Sequence, residues 1–257
     1  MIFSLMSGSS GNSTLIAEGD SLILLDCGAS GKKLSQAVES LGYNCSDISA
    51  ILLTHEHTDH ISGAGILSRR FNIPIYATAE TFNAMKVGPI KEDNINCVSP
   101  NECFEINGLE VSPFSISHDA ANPVSYSFSL ADGKFTSLTD TGIITKEIYD
   151  EIKDSKYLLL ESNHDVEMLQ YGSYPYPLKR RILGETGHLS NNTAAAVAAK
   201  MMENGAERII LGHLSNENNT PEIAYKTAEN ALAAKGGIIG KDIFLSVAKR
   251  YDITRLI

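Results

Sequence analysis

Two hydrophobic rhythms alternate along this chain of 257 residues. "MIFSLM" reads as an opening strand. "TLIAEG" and "SLILLDCG" are short apolar runs bounded by Gly, Asp and Ser, and they predict a hairpin or meander. "KKLSQAVESLG" has apolar positions at helical spacing and a glycine stop. "AILLTH" is a continuous apolar run that predicts a buried strand, "SGAGILSRRF" is helical, and "IPIYAT" is a strand again. From "CFEINGLEVSPFSISH" through "VSYSFSLADGKFTSLTDTG" the alternation predicts β-structure, with turns at Asn107-Gly108 and Asp132-Gly133. The last third is helix-rich, with strands at "YLLLES" and "RIILGH". Thr220-Pro221 predicts a cap and a first-turn proline, opening a helix through Ala234 that stops at Gly236-Gly237. No linker divides the chain, so a single domain over 1–257 is expected. Two β-rich blocks, each with helices, predict an α/β architecture of two packed sheets with helices on the outer faces.

Composition narrows the picture. With 43% hydrophobic and 20% charged residues the chain is ordinary for a globular protein. No stretch reaches the roughly 18 apolar residues of a membrane span, and the N-terminus lacks a basic leader with an apolar core. No membrane association and a cytoplasmic location are therefore expected. Cys27, Cys45, Cys97 and Cys103 form no C-x-x-C pair and suit reduced thiols. The net charge of −10 counts against nucleic acid as a partner, because such binders usually present a basic surface. A local patch overrides a global balance, however, and bound divalent cations offset negative charge within a site.

The chemistry concentrates in "LLTHEHTDHISG". His55, His57, Asp59 and His60 crowd the carboxyl end of a predicted strand, where α/β folds place ligands. Imidazole nitrogen and carboxylate oxygen suit zinc and other first-row divalent ions. In an extended loop His55 and His57 project the same way and can share one metal, while Asp59 and His60 turn toward a second. His118 and Asp140 close later strands and are further ligand candidates, Asp140 being the natural bridge because a carboxylate has two oxygens. Asp26 ends "LILLDCG" and is expected to support a ligating histidine from behind rather than touch metal. "SGSSGN" lacks the lysine and the strand-to-helix context of a P-loop and reads as a tight hairpin turn. The letters "GHLSN" occur twice, at 187–191 and 212–216, without similarity around them, so no duplicated domain is implied.

The motif "HEHTDH", with a downstream strand-end His and Asp, resembles the metallo-β-lactamase superfamily of αββα four-layer sandwiches. The order Asp26, His55, His57, Asp59, His60, His118, Asp140, His213 follows that superfamily's motifs over nearly the whole chain. The resemblance implies two divalent metal ions, zinc foremost, with manganese or iron as alternatives. His55, His57 and His118 would hold the first, and Asp59, His60 and His213 the second, with Asp140 bridging. The second "GHLSN" thus supplies the last ligand, His213. Glu161 in "YLLLESNHD" and His188 in the first "GHLSN" resemble the extra Glu and His motifs of the superfamily's nucleases, in which the pair positions a phosphate and shuttles a proton. A carboxylate holding an imidazole fixes its tautomer, which suits that role.

"SGSSGN", "ESNHD" and "YPLKRRILGETGHLSN" further resemble the bacterial YycJ (WalJ) group, regarded as exonucleases acting from the 5′ end of DNA duplexes. The resemblance implies a phosphodiesterase that cleaves DNA at a duplex end in the 5′-to-3′ direction. The catalytic roles then fall to Asp59, His188 and Glu161. The 26 residues between Glu161 and His188 leave no room for the nucleic-acid-clamping domain of larger relatives. Lys179, Arg180 and Arg181, together with Ser190, are the expected substrate contacts, with a solvated helix face as the alternative for the basic run. His164 lines the site, supports it from behind, or is a surface histidine. Three rivals remain: a thioesterase or lactonase on the same metals, an iron oxidoreductase, and a non-catalytic metal-binding module.

Overall fold

The computed structural model describes residues 1–257. One mixed sheet contains β1 (Ile2–Met6), β2 (Ser13–Glu18), β3 (Ser21–Leu25), β4 (Ala50–Leu52), β5 (Ile75–Ala77), β6 (Ile95–Cys97) and β14 (Thr254–Arg255), in the order β14-β1-β2-β3-β4-β5-β6. Strands β1 to β3 are the antiparallel meander expected from their turn residues. From β3 to β6 pairing is parallel. Parallel neighbours need crossovers, and helices α1 (Gly31–Ser40), α2 (Thr58–Ile61), α3 (Ala64–Phe71) and α4 (Ala79–Ala84) supply them. Helix α1 is capped by Ser30, whose hydroxyl accepts from Lys33 N at 3.3 Å, and it buries Leu34 and Val38 one turn apart.

The other sheet contains β7 (Phe104–Ile106), β8 (Leu109–Ser115), β9 (Val124–Leu130), β10 (Gly133–Leu138), β11 (Tyr157–Glu161), β12 (Arg208–Gly212) and β13 (Phe244–Val247), in the order β13-β12-β11-β10-β9-β8-β7. Strands β10 to β13 are parallel. Every residue of β11 is buried, which is why "YLLLE" shows no alternation. Each buried leucine there contributes about 1.5–3 kcal/mol of transfer free energy. Helices α5 (Lys146–Ile152), α6 (Val166–Tyr171), α7 (Tyr176–Ile182), α8 (Asn191–Glu203) and α9 (Pro221–Ala234) complete this part of the chain. Thr220 caps α9 and Pro221 opens it, as the sequence predicts.

The chain packs as two compact units, residues 1–115, 120–126 and 249–257 in one and 116–119 and 127–248 in the other. Two local readings differ from the sequence expectation. The second half of "HEHTDH" is not loop but the helical turn α2, with His57 at its N-cap and Asp59 in its first turn, a placement the helix dipole favours. The short strands β13 and β14 carry no alternating pattern that would have revealed them.

Three strand ends share one backbone feature. Asp26, Asp140 and His213 follow β3, β10 and β12, and each has positive φ, at 58°, 60° and 53°. Such left-handed conformations are uncommon outside glycine and concentrate where a function requires them.

Candidate metal centre

In the first unit the donors are organised by Asp26. Its Oδ1 accepts from Thr54 N at 2.9 Å, and Thr54 Oγ1 lies 3.0 Å from Oδ2. His60 Nδ1 lies 2.7 Å from the same Oδ2. An acceptor-only carboxylate requires the proton of His60 on Nδ1, which leaves the lone pair on Nε2. Thr54 Oγ1, having donated to Asp26, accepts from His55 Nδ1 at 2.9 Å, so the lone pair of His55 is also on Nε2. That atom is 3.0 Å from His57 Nδ1. His55 and His60 are fully buried and Asp26 nearly so. Asp26 thus touches His60 directly and His55 through Thr54, an intermediary the sequence reading missed.

Asn12 was also missed. It ends "SGSSGN", which is indeed the β1–β2 turn, but its side chain reaches the donor loop. Nδ2 lies 3.2 Å from His60 Nε2 and 3.4 Å from Asp59 Oδ2, and Oδ1 accepts from Gly8 N. Backbone bonds lace the same three segments together: Asn12 N to Asp59 O at 2.8 Å, Gly28 N to Asn12 O at 2.8 Å, and Cys27 N to His60 O at 2.6 Å. Gly28 sits at their crossing. A Cβ there would fall 1.7 Å from Asp59 O and 2.4 Å from Asn12 N, so no side chain fits.

In the second unit Asp140, Glu161, His188 and His213 each offer a ligand atom within 4.8 Å of the others. His213 Nδ1 is 3.0 Å from Asp140 Oδ2 and 3.4 Å from Glu161 Oε1. His188 Nδ1 is 2.8 Å from Glu161 Oε1 and 3.8 Å from Asp140 Oδ1. The other oxygen of Glu161 accepts from Leu189 N at 3.0 Å and Thr141 N at 3.3 Å. His118 donates Nδ1–H to Gly187 O at 3.2 Å, leaving Nε2, 3.9 Å from Asp140 Oδ1, as its lone-pair nitrogen. Burial lowers the pKa of His118 and favours the neutral imidazole a metal needs. Asp140 and Glu161 are buried with no lysine or arginine among the partners described above. A buried carboxylate facing a lone-pair nitrogen, as Asp140 faces His118 Nε2, is costly unless a cation offsets it, so this donor set fits a divalent metal ion. His188 is the more exposed member of the four.

The remaining expectations divide. His164 is no surface histidine: it is buried, neither ring nitrogen has a hydrogen-bond partner, and burial pushes it down to about 4. Its neutral form is therefore favoured in the fold. Stability from this residue is present above its ordinary value of 6.5 and is lost as pH falls from there toward 4. At the lower end the loss reaches about 3 kcal/mol. Urea unfolding at pH 7 and pH 4.5 should show a smaller pH-dependent drop for His164→Leu than for the parent chain, and an equal drop would remove this assignment.

The expected substrate contacts carry internal bonds. Lys179 Nζ donates to the carbonyls of Gln170 and Gly172 at 2.9 and 2.7 Å. Arg181 forms a bidentate ion pair with Asp119. The Ser190 hydroxyl caps α8 by accepting from Thr193 N at 3.2 Å. Arg180 stays exposed on α7. The basic run is thus helical, and only its middle residue extends freely into solvent.

The chain has relatives in sequence and in fold. A family model described as the Beta-lactamase superfamily domain matches residues 22–214. The chain is 39% identical over 239 residues to exodeoxyribonuclease YycJ of Bacillus anthracis, covering 92% of this chain and 90% of that one. It is 38% identical over 242 residues to exodeoxyribonuclease WalJ of Streptococcus pneumoniae, covering 93% and 90%. Among solved structures, the metallo-beta-lactamase fold protein YhfI from Bacillus subtilis superposes with a TM-score of 0.72 at 16% identity, covering 99% of each chain. Zn(2+)-bound PqqB from Methylobacterium extorquens gives 0.69 at 19%, covering 100% of each. At such identities the structures speak for the fold alone, an α/β fold of the metallo-β-lactamase type as the sequence predicts. With the family model spanning most of its length and two relatives aligned nearly end to end, the chain belongs to the metallo-β-lactamase-fold branch of the β-lactamase superfamily.

Proposed function

We propose that this protein is a metal-dependent phosphodiesterase that removes nucleotides from DNA ends, in the 5′-to-3′ direction. The observation that carries the reading is the Glu161–His188 pair. A partly exposed imidazole is held at 2.8 Å by a fully buried carboxylate, beside Asp140 and His213. Two relatives of the chain bear the name exodeoxyribonuclease. In this reading the two units form one domain. His55, His57 and His118 would hold one divalent ion and Asp59, His60 and His213 the other, with Asp140 between them. When bound, the ions supply an activated water and neutralise charge on the phosphate.

The chain's own groups do the rest. Glu161 accepts from His188 Nδ1, fixes the tautomer and stabilises the charged imidazolium. His188 Nε2 then holds the proton that passes to the leaving oxygen. Asp59 orients the attacking water, and Arg180 holds the nucleic-acid backbone farther out. Residues 162–187, which contain only two short helices, replace a clamping domain.

The test is a substrate panel with the purified full chain. With Mn²⁺ or Zn²⁺ it should hydrolyse bis-p-nitrophenyl phosphate and shorten 5′-phosphorylated duplex DNA, with mononucleotides released from a 5′ label first. Turnover of an acyl thioester or a lactone without any DNA cleavage would sink the reading in favour of a small-molecule hydrolase, which the net charge of −10 would suit.

A further inference from the structure

Helix α7 shows solvent an unusual face. Tyr176, Arg180 and Leu183 are spaced i, i+4, i+7 and so share one side. Tyr176 is 72% exposed, Leu183 is 48% exposed, and Arg180 is exposed beside them. Ile182 is the residue the helix buries. Tyr171, at the end of α6, is 86% exposed. Lys179 ties it to α7, because its ammonium donates to the carbonyls of Gln170 and Gly172 on either side of Tyr171. The face is therefore a stapled surface rather than two independent loops.

Charge singles out its occupant. The chain carries 31 acidic residues, yet "MLQYGSYPYPLKRRILG", residues 168–184, contains none. Of the three consecutive bases there, Lys179 and Arg181 are bonded within the protein, which leaves Arg180 to present its charge alongside the exposed Tyr171 and Tyr176. Rings with open π-faces beside a guanidinium suit unstacked bases and their phosphates, whatever the base sequence. The helix also leads directly to His188, whose backbone N–H donates to Ile182 O at 3.0 Å.

We propose that Tyr171, Tyr176, Arg180 and Leu183 form a track for a single nucleic-acid strand, delivering its end to His188. The tyrosine rings stack on bases, Leu183 extends the apolar platform, and Arg180 holds a phosphate. This inference rests on the phosphodiesterase reading above and adds the binding surface to it.

The test compares the parent chain with Tyr171→Ala/Tyr176→Ala, Tyr176→Phe and Arg180→Ala, each as the full metal-loaded protein. Affinity is read by fluorescence anisotropy on a phosphorothioate single-stranded oligonucleotide that resists cleavage, and turnover on bis-p-nitrophenyl phosphate. Loss of both rings should weaken oligonucleotide binding by roughly tenfold or more, while small-substrate turnover is unchanged. Tyr176→Phe should keep parent affinity, because the ring and not the hydroxyl stacks. Arg180→Ala should lower the slope of log affinity against log salt by about one. Unchanged oligonucleotide affinity in the double variant overturns the track. So does an equal loss on both substrates, which marks a folding defect, or a change of mass in light scattering, which marks a self-association face. If the parent chain hydrolyses thioester but no phosphodiester, the earlier reading fails, and the anisotropy result still decides the track.

Discussion

His188→Ala should lower phosphodiester turnover by roughly 10²- to 10⁴-fold, the range of one positioned acid–base group, while bound metal measured by mass spectrometry stays at the parent level. The reason lies in what the imidazole touches. Its Nδ1 is engaged by Glu161 at 2.8 Å and stands farther, at 3.8 Å, from Asp140. Glu161→Gln should reproduce much of the loss, because an amide that turns its NH₂ toward His188 favours the wrong tautomer. It should also disturb folding more than His188→Ala does. Glu161 is fully buried and accepts from Leu189 N and Thr141 N, whereas His188 is partly exposed. If His188→Ala lost metal in step with activity, the histidine would be a ligand and the proton-transfer role would be lost.

Asp26→Ala should weaken metal binding by roughly 10- to 100-fold, the usual effect of removing a group that orients a ligating histidine. It should also destabilise the fold by about 3–5 kcal/mol, because a buried polar network loses its acceptor. One carboxylate receives Thr54 N, Thr54 Oγ1 and His60 Nδ1. Without it His60 loses its fixed tautomer, and Thr54 loses the partner that keeps its oxygen available to His55. Titration with zinc in the presence of a competing chelator, alongside urea unfolding of the metal-free chain, separates the two effects. A variant with parent metal affinity would show that Asp26 serves only the fold.

Local chemistry made much of this legible. Apolar runs and turn residues gave away β1 to β5 and β7 to β12, and Thr220-Pro221 marked the start of α9. A cluster such as "HEHTDH" advertises its chemistry because no core tolerates it without a cation. The partners of those residues were hidden. Asn12 lies 48 positions from His60, Arg181 is claimed by Asp119 62 positions away, and Gly28 matters only because two other backbone segments cross it. None of these leaves a periodic or local trace.

The twin "GHLSN" segments show where the division falls. By itself the sequence determined which side chains are candidate donors, their order, and the strand ends that carry them, since residue type and hydrophobic period are local properties. Only the tertiary structure decided what surrounds each copy. Asn163 lies between them, its N–H donating to Leu189 O and its carbonyl accepting from Ser215 N. On one side His188 is turned toward Glu161, and on the other His213 is bent by a positive φ toward Asp140. Identical letters end in different surroundings, one imidazole held by Glu161 and the other against Asp140, because a side chain's protonation and direction are set by the groups that long-range folding brings within 3 Å or so.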